Sequence, residues 1–249
     1  MDGNQDRSSE VVARVTKAIE ELRALEINHL GEWPDFDDGT FFHTPDATLA
    51  SPYLRDDYII AKSKGKKLLH FGFADAPFTA ERIKSGELLH LKLRSVTELL
   101  WGADIDSMSI KTYEDNTGDP NNWTLDICKP IKHLERYNKN FDVVIFGEIL
   151  EHLLNPGIAL NNLRNLCEIN SAKLIITTPN AFNSAGFVAA LIGNEVVHPE
   201  HYYYYSPVTL KRLLSDCGFK DIDISFYSGA NTASSPGITF PGLIAECGT

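Results

Sequence analysis

Two stretches of this sequence bring together side chains that can move protons. In Glu148-Ile-Leu-Glu151-His152 the two carboxylates and the imidazole fall at i, i+3 and i+4, a single face if the segment is helical. Further on, His198-Pro-Glu-His201 runs into four consecutive tyrosines, Tyr202 to Tyr205. Imidazoles titrate near neutral pH, so His152, His198 and His201 are candidate catalytic bases for a hydroxyl acceptor. The plain alternative is structural. A loop histidine is commonly a surface hydrogen-bonding residue, and a Glu-His pair after a strand can simply tie a helix to its neighbours. Alternate tyrosines in a strand would face the core, so two of the four are expected to be packing.

A second set of residues stands where apolar runs stop. Lys67-Leu-Leu-His70-Phe-Gly72 ends in Gly72-Phe73-Ala74-Asp75-Ala76, Leu99 to Asp104 ends in Asp104-Ile105-Asp106, and Trp123 to Asp126 is followed by Ile127. Phe141-Asp-Val-Val-Ile-Phe146 and Lys173 to Thr178 are further β-branched runs, and Ile222 to Tyr227 alternates. Between them lie helical patterns at Leu89 to Leu100, Ile149 to Cys167, where Pro156 is an interruption or a new first turn, and Ser206 to Leu214, the last with Ser206 as N-cap, Pro207 at the first helical position and Gly218 as C-cap. Strands alternating with helices predict a mostly parallel sheet covered on both faces. Ligands of such sheets bind beyond the carboxyl ends of the strands, where strand order reverses. The strand tips are therefore where Gly72, Asp104 and Asp126 become informative. Taken singly, each reads equally well as a turn glycine, a strand-end acid or a turn cap.

The bulk properties narrow the classes. At 249 residues and 43% hydrophobic, the chain can build one α/β domain with extensions. A net charge of -11 disfavours a nucleic-acid binder. Cys128, Cys167, Cys217 and Cys247 show no CxxC spacing, and the polar first residues lack an apolar signal region. The expected setting is cytoplasmic, with no membrane span. Residues 1–60 read as an N-terminal extension, helical from Ser8 to Leu25 and a loop from Gly31 to Pro52, and residues 61–249 as the main domain. The apolar insertion Phe182 to Ile192 offers either a lid or a homodimer contact.

From about Lys66 to Tyr227 the chain resembles the class I S-adenosylmethionine (SAM) methyltransferases. The resemblance rests on Phe141-Asp-Val-Val-Ile-Phe running into Glu148-Ile-Leu-Glu151-His152-Leu, on Leu174-Ile-Ile-Thr-Thr-Pro-Asn180, and on Leu213-Leu-Ser-Asp-Cys-Gly-Phe219. It implies a Rossmann-like α/β fold with a mostly parallel seven-stranded sheet. It also implies a SAM site formed by His70, Gly72, Phe73, Ala74, Asp104, Ile105, Asp126, Ile127 and Phe146. Asp104 would grip the ribose hydroxyls and Asp126 the adenine amine. The glycine loop departs from the family: only Gly72 is kept, and His70 stands in place of the usual acid. The Glu-x-x-Glu-His segment with a later histidine is similar to the metal site of small-RNA 3′-terminal 2′-O-methyltransferases and of ubiquinone-pathway O-methyltransferases. Carried over, Glu148, Glu151, His152 and His201 would hold Mg²⁺ or Mn²⁺, though mixed O and N donors suit other divalent ions equally.

The sequence thus reads as a SAM-dependent methyltransferase acting on a small-molecule acceptor, on oxygen, with a sugar or glycoconjugate as the expected class. Rival readings are an inactive methyltransferase-fold scaffold, an RNA 2′-O-methyltransferase, and a nucleotide-dependent oxidoreductase that lacks a clean G-x-G-x-x-G.

Overall fold

A computed structural model describes residues 13–17, 20–21, 53–228 and 240–249. Residues 13–17 and 20–21 are helical, as the apolar spacing there predicts; the rest of the helix expected from Ser8 to Leu25 and the loop expected from Gly31 to Pro52 fall outside the described residues. The ordered elements run β1 (Tyr53–Leu54), α1 (Arg55–Ser63), β2 (Lys67–Phe71), α2 (Thr79–Ser85), α3 (Leu89–Arg94), β3 (Leu99–Asp104), α4 (Ser107–Thr117) and β4 (Asn122–Thr124). After a 3₁₀ turn at Leu134–Tyr137 come β5 (Val143–Gly147), a second 3₁₀ turn at Leu150–His152, α5 (Pro156–Asn170), β6 (Lys173–Pro179) and α6 (Ser184–Leu191). The chain closes with α7 (Pro207–Asp216), β7 (Lys220–Ser228) and β8 (Gly242–Gly248).

These strands form one sheet in the order β1-β7-β8-β6-β5-β2-β3-β4. It is the Rossmann-like α/β sheet expected, with the two-residue β1 added as an eighth strand at the edge beside β7. Pairing is parallel except where β8 inserts antiparallel between β6 and β7. From β2 the chain moves outward through β3 to β4, and from β5 it moves the other way to β6. Order therefore reverses between β2 and β5, which pair directly, Phe71 beside Phe146.

Successive residues of the central strands face opposite sides, and both sides are covered. Leu69, Val144 and Leu174 pack with Leu160 and Leu163 of α5 and Leu210 of α7. Their neighbours Leu68, Val143 and Ile175 pack with Ile59 of α1 and Leu93 of α3. Burial on both faces is why these strands are uniformly apolar rather than alternating. Tyr58 and Ile59 of α1 belong to this core although they precede residue 61.

Helix α7 starts where its sequence predicts. Ser206 Oγ accepts from Thr209 N–H, and the Thr209 hydroxyl accepts from Ser206 N–H. Ser206→Ala removes this reciprocal cap and is expected to lower unfolding stability by about 1 kcal/mol. Urea unfolding checks it; an unchanged midpoint would show that the cap contributes nothing.

Between Ile149 and Cys167 Pro156 is the new first turn that the sequence allowed, but the residues ahead of it form no α-helix. Glu148 adopts a left-handed conformation (φ 54°) with its N–H bonded to Thr177 O at 2.9 Å. The 3₁₀ turn follows, and α5 begins afresh at Pro156, whose ring removes a donor only the helix interior would need. Glu148, Glu151 and His152 therefore do not share a helical face; whatever brings them together is tertiary.

Candidate cofactor cavity and histidine cluster

At the β2/β5 reversal lies a cavity of about 630 Å³, in the range of roughly 300–1,000 Å³ typical of small-molecule sites. Its floor is the ends of β2 and β5, through His70, Gly72, Gly147 and Glu148. One side is Asp104, Ile105 and Asp106 at the tip of β3; another is Arg55 and Asp56 at the start of α1; His152, His198 and Glu200 form the remaining wall.

Gly72 is required by its position. Its φ is 68°, and a Cβ there would stand 2.7 Å from Ile149 Cδ1. Ala74 and Ala76 are not at positive φ; the second left-handed residue of the loop is Asp75. Alanines in place of glycines are thus compatible with the loop's backbone. Asp104 is buried, and its two oxygens take the amides of Ala74 (3.1 Å) and Asp106 (3.0 Å). Burial raises its pKa, opposed by backbone hydrogen bonds from Asp106, Ala74 and Ile105.

Of the residues expected at the cofactor, His70, Gly72, Asp104 and Ile105 line this cavity, and Phe73, Ala74, Asp126, Ile127 and Phe146 do not. Phe73 is fully buried against His90 and Tyr113. Phe146 sits edge-on to Phe71 in the core, where strand alternation sends it. Ile127 is also a core residue. Asp126 does stand at the sheet's carboxyl edge, since Leu125 N–H bonds Asp104 O at 2.8 Å. Its carboxylate, however, closes a turn on Cys128 N–H (3.0 Å) and pairs with Lys129 (3.0 Å).

Sequence reasoning did not find Arg55 or His90. Arg55 lines the cavity, with Nε and Nη2 on Asp56 Oδ1 at 3.2 and 3.0 Å. His90 lies sealed beneath it with Nδ1 3.2 Å from His70 Nδ1. A histidine between leucines, Leu89-His90-Leu91, was the available signal for a buried polar pairing.

At the cavity's mouth the candidate histidines converge. His152, His198 and His201 each offer a nitrogen, all within 4.8 Å of one another. The 198–205 segment is held there by Tyr202 N–H on Glu151 O (2.8 Å). Two buried atoms at this cluster have no hydrogen-bond partner, His201 Nδ1 and Glu151 Oε1. Glu151 Oε1 lies 3.9 Å from His152 Nε2, while its Oε2 accepts from Thr178 Oγ1 at 3.0 Å. Glu148 is drawn away from this cluster: both its oxygens accept from Tyr227 OH, at 3.0 and 3.1 Å. Among the described residues, then, the group placed to share one ion is the three histidines, with Glu151 next to His152; Glu148, expected in that group, is not among them. Of the four tyrosines only Tyr205 is buried; Tyr202 and Tyr203 are exposed. A groove of about 440 Å³ runs between α6 and Val196–Val197, backed by Tyr204, whose ring centroid is 5.5 Å from that of His201.

Burial, then the nearby Glu148, pushes Glu151 up to about 8, while burial and the other two imidazoles lower His201. The Glu151 shift makes a stability prediction. A carboxyl whose folded pKa exceeds its unfolded one holds an extra proton in the folded state between those values. Its contribution is therefore full below the unfolded value and is lost as pH rises through about 8. Buried histidines with lowered pKa act oppositely, but only below about 6.5. Between pH 6.5 and 8 the metal-free protein is expected to lose on the order of 1 kcal/mol, and Glu151→Gln to abolish that slope. Chelator-treated protein unfolded in urea across this range tests it; parallel slopes for wild type and variant would refute it.

A family model described as "Methyltransferase domain" matches residues 54–224. The chain belongs to this methyltransferase-domain family. Among solved structures, small RNA methyltransferase HEN1 aligns with TM-score 0.54 and 15% identity, over 84% of this chain and 27% of that one. The methyltransferase domain of bacterial CtHen1-CN aligns with TM-score 0.51 and 13% identity, over 78% of this chain and 97% of that one. A SAM-dependent methyltransferase from Archaeoglobus fulgidus is 18% identical over 78% of this chain and 94% of its own, with TM-score 0.46. At these identities the likeness is one of fold. No curated protein matches the sequence. No helix among the described residues is long and apolar enough to cross a membrane.

Proposed function

We propose that this chain transfers the methyl group of SAM to a hydroxyl of a small polar acceptor, a sugar or glycoconjugate precursor, at a divalent-ion site made by His152, His198, His201 and Glu151. The observation that carries the proposal is the convergence of the three histidines, with Glu151 next to His152, at the cavity that Gly72 and Asp104 line. In the transfer the S–CH₃ bond breaks as the O–CH₃ bond forms, and the hydroxyl gives up its proton. A sulfonium donor is already activated, so the protein's main work is alignment and exclusion of water.

The donor set fits an ion. His201 Nδ1 and Glu151 Oε1 are buried and unpartnered, which is costly unless something pairs with them. Three imidazoles with one carboxylate suit Mn²⁺, Fe²⁺ or Zn²⁺ better than Mg²⁺, which prefers oxygen donors. An ion bound there acts as a Lewis acid on an adjacent hydroxyl. Without an ion the same imidazoles can accept the proton, and metal dependence of the rate separates the two. The groove backed by Tyr204 is the acceptor's approach, since the Tyr204 ring lies 5.5 Å from that of His201. The likeness to HEN1, an RNA methyltransferase by name, supports a ribose hydroxyl of RNA as second reading; the net charge of -11 opposes it. As part of this proposal the methyltransferase unit begins with β1, ahead of residue 61, because α1 supplies both core and cavity residues.

The test is a titration of the full chain with Mn²⁺, followed by transfer from methyl-labelled SAM to a panel of sugars, phenols and short RNAs. One bound equivalent and a base-stable ether product support the reading. No binding of Mn²⁺, Fe²⁺ or Zn²⁺, or label recovered on nitrogen or as a base-labile ester, would overturn it.

A further inference from the structure

The floor of the cofactor cavity contains a neutral imidazole pair whose protons are set by burial. His70 Nδ1 and His90 Nδ1 lie 3.2 Å apart, so one donates to the other. His90 is sealed, and its Nε2 has no partner. Were His90 Nδ1 the acceptor, Nε2 would carry a proton and leave a buried N–H unpaired. With His90 Nδ1 as donor, Nε2 keeps only a bare lone pair. Orphaned buried N–H groups are the rarer and costlier defect, so His90 donates. His70 must then carry its own proton on Nε2. That nitrogen has no hydrogen-bond partner in the protein and is not sealed as His90 Nε2 is, and His70 lines the cavity. His70 therefore presents a donor to the ligand. Arg55 lines the same cavity and has a second donor face: Nε and Nη2 hold Asp56, and Nη1 makes no protein hydrogen bond.

We propose that His70 and Arg55 grip the carboxylate of the cofactor's methionine end, and that His90 is a positioning residue holding His70 in the Nε2–H tautomer. An acid in place of His70 would instead accept from the ammonium group, so the polarity of this subsite is inverted. Burial keeps both imidazoles uncharged at neutral pH, with His70 lowered to about 3. The inference rests on the cofactor reading of the cavity.

Calorimetry on the full chain with S-adenosylhomocysteine and two truncated forms tests it, one lacking the α-carboxylate and one lacking the α-amine. Loss of the carboxylate is expected to weaken binding by about tenfold or more, and loss of the amine by less than about threefold. The opposite ranking overturns the inference alone; no binding of S-adenosylhomocysteine overturns the cofactor reading with it. Proton-coupled ¹⁵N spectra of the wild-type protein are expected to show His70 as the Nε2–H tautomer, and the Nδ1–H tautomer would refute the assignment. His90→Asn, which keeps a donor, is expected to retain the affinity that His90→Leu loses. The loss in His90→Leu is expected for S-adenosylhomocysteine and not for the form without a carboxylate; equal losses for both would mean that His90 only packs.

Discussion

Replacing His201 by alanine is expected to weaken Mn²⁺ binding by at least about tenfold and to slow methyl transfer by about a hundredfold, while S-adenosylhomocysteine binds within about twofold of wild type. The asymmetry follows from where the side chain stands. His201 belongs to the imidazole cluster but does not line the cofactor cavity, whereas His152 and His198 do both. Its lowered pKa leaves it neutral at pH 7, so its lone pair is available without displacing a proton. Removing it deletes a nitrogen donor and leaves Glu151 Oε1 and His152 facing a smaller set of partners. Free imidazole added to His201→Ala is expected to recover part of both metal binding and rate, which a packing defect would not allow. His133 serves as control. It is exposed beside Glu135 on the first 3₁₀ turn, far from the cluster in sequence, and its alanine variant is expected to match wild type in both assays. Unchanged metal affinity in His201→Ala would remove the cluster from the mechanism and leave only its structural use.

How much of this was legible beforehand depended on what each residue's neighbours demanded. β2, β3, β5 and β6 were readable because helices cover both faces of the sheet, which forces an apolar run that glycine, acid or proline then stops. β8 was not. Gly242-Leu-Ile-Ala-Glu-Cys-Gly248 is short, carries a charge and follows a glycine- and proline-rich stretch, yet it sits inside the sheet with Leu243, Ile244 and Ala245 fully buried. Its place is fixed by antiparallel pairing with distant strands, which local pattern does not encode. The site shows the same divide. That Gly72 and Asp104 line the cavity was legible because strand tips at a parallel sheet's carboxyl edge are a geometric consequence of the fold. Asp126 was placed at the right edge, but sequence does not say which donor a carboxylate will take, and it took Cys128 N–H and Lys129. The Glu148 face failed because a left-handed residue broke the helix that the i, i+3, i+4 spacing assumed.

The aspartate that remains at the cavity makes the sharpest cofactor prediction. An ionised carboxylate offers about four acceptor sites, and the amides of Ala74 and Asp106 occupy one on each oxygen of Asp104. With the Ile105 amide also turned on the carboxylate, one acceptor direction is left over, enough for a ribose hydroxyl. That contact would be charge-assisted and partly desolvated, so Asp104→Ala is expected to weaken S-adenosylhomocysteine binding by at least about tenfold. Asp104→Asn should do no better, because its amide nitrogen must face either the Ala74 or the Asp106 N–H, two donors opposed, and it is expected to destabilise the fold by about 1–3 kcal/mol as well. A ligand-side deletion separates grip from collapse. The 2′-deoxy form of S-adenosylhomocysteine is expected to bind wild type about tenfold more weakly than the parent, and to bind Asp104→Ala as well as the parent does. The penalty for the missing hydroxyl would then vanish with the carboxylate that received its proton. If the deoxy ligand is disfavoured equally by both proteins, the diol is held elsewhere, and Asp104 is only the buckle that ties the Gly72 loop to β3.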